Sequence, residues 1–253
     1  MNRKVQIITV TSLSGGQGKT TTAFFLGLSL AKRGIKTLWI DGDPQHNLTL
    51  YGRSPHKDDE PTLLECLTAS VKPIEAVYKT QWENLYIMPS DRALEQSQTF
   101  LANASMGERV LHRRIKDLPF EVILIDSQPG RSQLCSTCIC AADKLLIPVE
   151  SNSKGLVCLQ STLEAIDDLT ECGAFTGKVA AIIPFRDTIR GINRTKISSK
   201  ALSYFETVTK ENDIKLTASI VDSEKFKQAI DAGTYLPDDL DRTFTQLTEV
   251  VYV

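Results

Sequence analysis

The sequence has no apolar run that approaches the roughly 20 residues needed to span a membrane. Its first residues, MNRKVQIITV, hold too short an apolar stretch for a signal peptide and lead straight into a glycine-rich loop, so they predict a first strand. The formal net charge is only −2, which excludes histone-like basicity but leaves room for a local basic patch. We therefore expect a cytoplasmic protein that does not attach to a membrane.

Complete metal-binding and disulfide patterns are also absent. Three of the six cysteines stand together in Cys135-Ser-Thr-Cys138-Ile-Cys140, but no second C-x-x-C and no nearby histidine pair completes a tetrahedral metal set. Disulfides are not expected in a cytoplasmic chain. At helical spacing, small residues such as cysteine and alanine more often fill a tightly packed helix, and we favour that interpretation of the cluster.

The chain lacks internal repeats, low-complexity tracts and any linker rich in glycine, proline or serine. It has instead a regular alternation of apolar, β-rich runs with segments that repeat about every 3.6 residues. We predict strands over 4–10, 36–40, 85–88, 121–125, 144–149, 178–183 and 216–221, and helices over 19–33, 91–116, 155–171 and 190–211. Near-continuous apolar strands that alternate with helices indicate a mostly parallel sheet with helices on both faces. We expect an α/β fold, a single doubly wound domain over residues 1–253.

Residues 12–22, SLSGGQGKTTT, resemble a phosphate-binding loop, although Leu13 stands where the G-x-x-x-x-G-K-[ST] pattern has its first glycine. The loop follows a predicted strand and opens a helix, which is the setting that such a loop requires. Its glycines allow backbone N–H groups to turn toward phosphate oxygens, and the helix N-terminus adds a partial positive charge. Lys19 would reach the β- and γ-phosphates, and the Thr20 hydroxyl would hold Mg²⁺. To nucleotide binding we assign Ser14, Gly15, Gly16, Gln17, Gly18, Lys19, Thr20, Thr21, Pro184 and Phe185.

Three aspartates come at the ends of predicted strands. Asp41 and Asp43 follow the second strand, and Asp126 ends the apolar run Ile123-Leu-Ile as a Walker B aspartate does. In an open parallel sheet these loops emerge at the carboxyl edge, beside the topological switch point. A lone Asp-x-Asp is usually a solvated turn, but together with the phosphate loop the set predicts a site for ATP and Mg²⁺.

This combination resembles the ParA/MinD family of deviant Walker A ATPases, which are P-loop NTPases, and ParA-type partition ATPases match best. The resemblance runs along most of the chain. It includes GGxGKTTT, the D-x-D-P-Q-x-N from Asp41, Thr62-Leu63, Leu85, Pro89-Ser90, Ile125-Asp126-x-x-Pro129, the stretch from Ala141 to Val149, and Gly155-Leu156.

The resemblance implies a function. A member of this family binds ATP and Mg²⁺, forms a homodimer with two ATP molecules sandwiched between the subunits, and hydrolyses ATP slowly. The ATP dimer binds nucleoid DNA non-specifically and is released when an adaptor protein on the cargo stimulates hydrolysis. By the same resemblance, Asp43 helps to position the attacking water and Asp41 belongs to the magnesium and switch network, or the two roles are reversed.

The chain departs from the family pattern at Ser14, because the family has a lysine there that reaches the phosphate of the partner subunit. A subgroup that positions carboxysomes in cyanobacteria departs in the same way, and its loop also reads SGGQGKT. The resemblance therefore implies carboxysomes as the cargo, with plasmid or chromosome partition as the alternative.

The missing positive charge has two candidates in the sequence. Lys154 follows the predicted strand 144–149 at the same carboxyl edge, and its flexible side chain could cross a two-fold interface. Arg131, directly after the Walker B loop, is the competitor. A solvated surface lysine is the plain alternative for Lys154.

The sequence also holds a candidate surface for DNA. Residues 186–200 carry five cations against one acid, and on a helix over 190–211 some of them would share a side suited to phosphate contact. A solvated helix face is the plain alternative, and the family resemblance favours DNA. The candidate residues are Arg186, Arg190, Arg194, Lys196 and Lys200.

Two other functions in the same fold class remain open. One is a metabolic relative such as a nucleotide-dependent ligase, and the other is an iron-protein-like reductase, which the cysteine cluster after Asp126 invites. The sequence around those cysteines does not follow the iron-protein pattern. The residues 236–253 are acidic at their start, which argues against a basic amphipathic membrane helix of the MinD type.

Overall fold

A computed structural model describes residues 5–190 and 193–252, without the side chain of Arg190. Its strands are β1 (Gln6–Val10), β2 (Thr37–Gly42), β3 (Tyr78–Lys79), β4 (Leu85–Met88), β5 (Val122–Ser127), β6 (Lys144–Glu150), β7 (Lys178–Asp187), β8 (Ile189–Arg190), β9 (Asn193–Arg194), β10 (Lys215–Leu216) and β11 (Ile220–Val221). Its α-helices are α1 (Lys19–Lys32), α2 (Asn47–Tyr51), α3 (Leu63–Leu67), α4 (Ser97–Asn103), α5 (Val110–Ile115), α6 (Gln133–Ala141), α7 (Ser153–Glu171), α8 (Lys196–Glu211), α9 (Glu224–Ala232) and α10 (Asp238–Val251).

Most of the strands form one sheet in the order β10-β7-β6-β1-β5-β2-β4-β3, with β11 also paired to β7. Every pair in it is parallel except β3 with β4. Strand β1 lies between β5 and β6, so the chain order reverses on either side of it. The loop after β1 therefore opens at the topological switch point of the sheet, where ligands bind in such folds.

Alternate residues of the central strands pack on opposite faces of the sheet. Val122 and Leu124 of β5 join the core beneath α1 and α10, whereas Ile123 and Ile125 join the core beneath α3, α5 and α6. A third core packs β6 and β7 against α7 and α8. Helices cover both faces, which confirms the doubly wound α/β fold.

Helix α1 is held close to the sheet by a small residue. A Cβ at Gly27 would lie 1.9 Å from Nε1 of the Trp39 indole, so a larger residue at position 27 would displace the ring. That indole nitrogen donates a hydrogen bond to the carbonyl oxygen of Ala23 at 3.0 Å. The contact fixes α1 against β2 and thereby fixes the loop from which α1 begins.

The predicted strands are all present, although 216–221 is divided into β10 and β11. The single helix predicted over 91–116 is wrong. The chain there forms a 3₁₀ turn, α4, a second 3₁₀ turn and α5, because Ala104 is extended and Met106 adopts a positive φ of 54°. The helix predicted over 190–211 begins late, at Lys196, since Thr195 caps it by accepting a hydrogen bond from the Ser198 N–H.

The cysteine cluster fills a helix, as the spacing predicts. Cys135, Cys138 and Cys140 lie buried in α6 as free thiols. Within 5–190 and 193–252, no group of His, Cys, Asp and Glu side chains is arranged to hold a metal ion. Among the same residues, no helix combines the length and the apolar character that crossing a bilayer requires.

Candidate nucleotide-binding site

The glycine-rich loop joins β1 to α1 and is tied to its neighbours on both sides. The Leu13 N–H donates to Oγ1 of Thr162 at 3.2 Å, and the Leu13 carbonyl accepts from the N–H of Gly130 at 2.8 Å. The Leu13 side chain packs on the core beneath α7. Leucine at this position therefore anchors the loop to α7 and to the turn after β5.

Gly18 allows a close approach by an aromatic ring. Its φ is +92°, and a Cβ there would lie 2.6 Å from the ring of Phe185. Gln17 is also held, because its Oε1 accepts a hydrogen bond from the N–H of Glu150 at 2.8 Å. The ends of β6 and β7 thus both contact the loop just before Lys19.

Lys19 lies curled over its own loop. Its Nζ donates to the carbonyl oxygens of Ser12 and Ser14, each at 3.0 Å, and only 7% of the residue is exposed. Burial lowers the pKa of Lys19, and the neighbouring Asp126 carboxylate opposes that shift. The loop holds the ammonium group at its own concave side, where it could bind anionic oxygens.

Asp126 has a carboxylate oxygen that accepts no hydrogen bond. It is paired in register with Val10 of β1 and Asp41 of β2, so it stands at the centre of the carboxyl edge. Its Oδ1 is buried and has no hydrogen-bond partner, and its pKa is raised well above the ordinary value, by burial and then by the charge of Asp41. A hydrogen bond from Thr20 lowers that pKa in part. An orphaned carboxylate oxygen beside a threonine hydroxyl fits the oxygen ligands that Mg²⁺ prefers.

Asp41 has a different environment. Its Oδ2 accepts from both the N–H and the hydroxyl of Thr49 at 2.7 Å, and its Oδ1 accepts from the N–H of Asp43 at 3.2 Å. Burial raises its pKa to about 6. Since both oxygens already accept hydrogen bonds, Asp41 joins β2 to α2 and offers less to a metal than Asp126 does.

Asp43 is only partly buried and lies next to this network. Its Oδ1 accepts from the N–H of Gln45 at 2.9 Å, and its carbonyl oxygen accepts from the Ser90 hydroxyl at 2.9 Å. Thr49, which links Asp41 to the N–H of Ser90, is a residue that the sequence analysis missed. A hydroxyl residue eight positions after an aspartate carries no motif, so only the fold could reveal that contact.

A cavity of about 600 Å³ lies on one side of the loop, and we call it the phosphate-side cavity. Its lining includes Ser14, Gly16, Glu150, Lys154 and Arg186. Lys154 is exposed in the first turn of α7, where the Asn152 side chain accepts a hydrogen bond from its N–H at 2.9 Å. The structure thus brings Lys154 and Ser14 to the same cavity.

Arg131, the competitor, is held elsewhere. Its guanidinium pairs with Asp168 at 3.2 Å and with Glu164 at 3.9 Å, both on α7. Arg131 does not line the phosphate-side cavity.

A second cavity has a volume of about 360 Å³ and reaches Thr21 in the first turn of α1, and we call it the base-side cavity. Thr21 and Phe185 line it, as does the segment 221–224 between β11 and α9. Pro184 is buried in β7 opposite Val149. The segment 221–224 was not predicted, because its residues follow no nucleotide-binding pattern.

The predicted DNA residues do not share one helix. Arg190 and Arg194 belong to the β8–β9 hairpin, and the Arg190 side chain lies outside the described residues. Arg194 pairs with the buried Asp187 at 2.6 Å, and Arg186 pairs with Glu150 at 2.8 Å. Of the five predicted residues, Lys196 and Lys200 lie on α8, and both are exposed.

Comparison with known proteins agrees with this site. A family model described as an AAA domain matches residues 5–174. The "Maintenance of carboxysome distribution protein A" of Synechococcus elongatus is 45% identical, over 90% of each chain, and that of Gloeothece citriformis is 41% identical, over 98% of this chain and 97% of its own. An ATP complex of an aspartate-to-alanine variant of Cyanothece McdA superposes with a TM-score of 0.95 at 40% identity, covering 100% of this chain and 98% of the other.

The fold is that of a P-loop NTPase of the ParA/MinD type. The chain belongs to the family of maintenance of carboxysome distribution protein A, or McdA, within that class.

Proposed function

We propose that this chain is an ATP hydrolase that positions carboxysomes, using ATP-dependent binding to nucleoid DNA. The observation that carries the proposal is the sequence identity of 41–45% to carboxysome distribution proteins over nine tenths or more of the chain. The curled Lys19 and the orphaned oxygen of Asp126 support ATP and Mg²⁺ as the cofactors. Partition of a plasmid or chromosome would use the same chemistry on another cargo.

The environment of each site residue supports a distinct role for it. The N–H groups of residues 14–21 and the Lys19 ammonium would bind the phosphates. Thr20 and Asp126 would hold Mg²⁺, and its charge would offset that of the phosphates. Asp43, the more accessible of the two aspartates after β2, orients the attacking water. Asp41 positions Asp43 and α2, since its carboxylate accepts hydrogen bonds from the N–H of Asp43 and from the N–H of Thr49 in α2.

Lys154 supplies the charge that Ser14 lacks. In a sandwich dimer two triphosphates approach each other in a partly desolvated interface, where a charge pair at contact distance is worth on the order of 4 kcal/mol. Lys154 lines the cavity beside Ser14 and is exposed, so it is available to the nucleotide of the partner subunit.

The ATP dimer binds DNA through Lys196 and Lys200, together with the basic hairpin that precedes them. Such contacts to phosphates carry no sequence preference. A cargo-bound adaptor stimulates hydrolysis and releases the protein, which resides in the cytoplasm on the nucleoid.

Imaging tests the cellular part of the proposal. The tagged chain, expressed in Synechococcus elongatus without its own McdA relative, should cover the nucleoid and restore even spacing of carboxysomes. The Lys19→Ala variant is the matched control and should be diffuse, because it lacks the cation that neutralises the phosphates. A parent protein that stays off the nucleoid while it binds and hydrolyses ATP in solution would point to a metabolic enzyme.

A further inference from the structure

Arg186 lies at the boundary between the two cavities that flank the phosphate loop. It lines the phosphate-side cavity together with Ser14 and Lys154, and it also lines the base-side cavity together with Thr21. A nucleoside triphosphate whose phosphates follow the loop and whose base enters the second cavity must pass this side chain. Its location is therefore that of a ligand contact.

Several contacts hold the Arg186 guanidinium at this boundary. It pairs with Oε1 of Glu150 at 2.8 Å and lies over the Phe185 ring, 5.6 Å from the ring centre. The side chain of Glu150 is only 13% exposed, and its Oε2 accepts from Nδ2 of Asn152 at 3.1 Å. Because Phe185 packs on Gly18, the arginine is positioned relative to the loop itself.

The backbone of Arg186 is strained. Its φ is +50°, in the left-handed region that residues with a Cβ seldom adopt. Strain of this kind persists where surrounding contacts impose it, and it clusters at ligand sites. At Arg186 it turns the chain at the end of β7, where the side chain faces both cavities.

The charges that line the phosphate-side cavity favour a role for Arg186 in binding phosphate. Glu150 places a carboxylate in the cavity that we propose for the phosphates, and Ser14 stands where the family has a lysine. An arginine has five N–H donors, so it can keep its bond to Glu150 and still donate to a phosphate. We propose that Arg186 is a nucleotide-binding residue that donates to phosphate oxygens of ATP within its own subunit, and that Glu150 positions it. This assignment rests on the proposed nucleotide site and replaces the DNA role suggested by sequence.

Calorimetric titration of ATP, ADP and adenosine into Arg186→Gln tests the assignment. The affinity for ATP should fall about tenfold or more, as expected for loss of a hydrogen bond to a charged group, with a smaller loss for ADP and almost none for adenosine. Arg113→Gln, which changes an exposed arginine on α5 outside both cavities, is the matched control and should bind all three as the parent does. Thermal unfolding checks that both variants fold.

A double variant separates a direct contact from simple neutralisation of Glu150. If Arg186 acts on the nucleotide, Glu150→Gln combined with Arg186→Gln should stay weak for ATP, because the donor is still missing. Full recovery of ATP affinity in the double variant would overturn the proposal, as would an equal loss for all three ligands or no loss at all in Arg186→Gln. A parent protein that does not bind ATP would instead refute the proposed function.

Discussion

At the scale of single residues, the three aspartates of the site differ in what their oxygens contact. Asp126 keeps a buried oxygen without a partner, Asp41 has both oxygens bound by Thr49 and Asp43, and Asp43 is partly exposed. The sequence could predict that all three lie at one edge, because each ends a parallel strand. It could not rank them, since the contacts of Asp41 come from Thr49, which no motif marks.

The pKa of Asp41 leads to a prediction about stability. Its folded pKa of about 6 exceeds the unfolded value of about 3.9, so the folded chain keeps the proton while the unfolded chain releases it. The free energy of unfolding therefore falls as pH rises from about 4 to about 6, by up to about 3 kcal/mol. Asp41→Asn should remove this dependence, so that its stability relative to the parent improves across that range.

Denaturant unfolding at a series of pH values measures this difference. Asp168→Asn is the control, since its side chain is 69% exposed. If the free energies of Asp41→Asn and the parent differ by a constant amount between about pH 4 and about pH 7, burial of Asp41 does not cost what its surroundings indicate.

At the scale of secondary-structure elements, each predicted strand segment is present, whereas two of the four predicted helix segments differ from the structure and the short strands β3, β8 and β9 were not predicted. The central strands are nearly continuous apolar runs, which are typical of parallel strands buried on both faces. The segment 91–116 has helical periodicity but breaks at Ala104 and Met106, and Gly107 is packed so that a Cβ would lie 2.0 Å from the Leu101 carbonyl oxygen. Periodicity reports which face is apolar and does not register such a break.

The N-terminus of α8 shows a second limit of periodicity. Arg190 and Arg194 fit a helical repeat, but Arg194 pairs with the buried Asp187, which holds it in the hairpin. The capping residue Thr195 was a local signal for the true start of the helix. An ion pair between side chains seven residues apart leaves no mark on helical periodicity.

The start of α7 carries the prediction for dimerisation. Lys154→Ala should bind ATP almost normally as a monomer but should require at least about tenfold more protein to dimerise, because one ammonium is lost at each of two sites. Sedimentation at increasing protein concentration, with ATP and Mg²⁺, measures this. The control Lys57→Ala changes an exposed lysine in the loop before α3 and should dimerise as the parent does. Equal dimerisation of Lys154→Ala and the parent would mean that another residue supplies the charge.

The exposed face of α8 carries the prediction for DNA. Lys196→Glu with Lys200→Glu should weaken binding of the ATP form to DNA, and the slope of log affinity against log salt should shrink by about 2–4 because phosphate contacts are lost. Lys57→Glu with Lys79→Glu produces the same change in net charge on exposed residues elsewhere and should bind as the parent does. Filter binding across a salt series makes the comparison. Equal slopes for the α8 variant and the parent would place the DNA surface elsewhere.

At the scale of the whole molecule, the sheet brings the chemistry together at one edge. The phosphate loop, Asp41, Asp126 and the start of α7 come from β1, β2, β5 and β6, and all four strands end on the same side. Lys154 and Arg186 reach the cavity beside Ser14 from two different strand ends. We therefore expect ATP bound at this edge to bring two chains together although the loop lysine is absent.

The molar mass in solution tests that claim most directly. Light scattering on the parent chain with saturating ATP and Mg²⁺ should give a molar mass of about 56 kDa, twice the 28.0 kDa of one chain. With ADP in place of ATP, the chain should have the mass of a monomer. Calorimetry under the same conditions establishes that the nucleotide is bound. A chain that binds ATP fully and still measures 28.0 kDa would contradict the account.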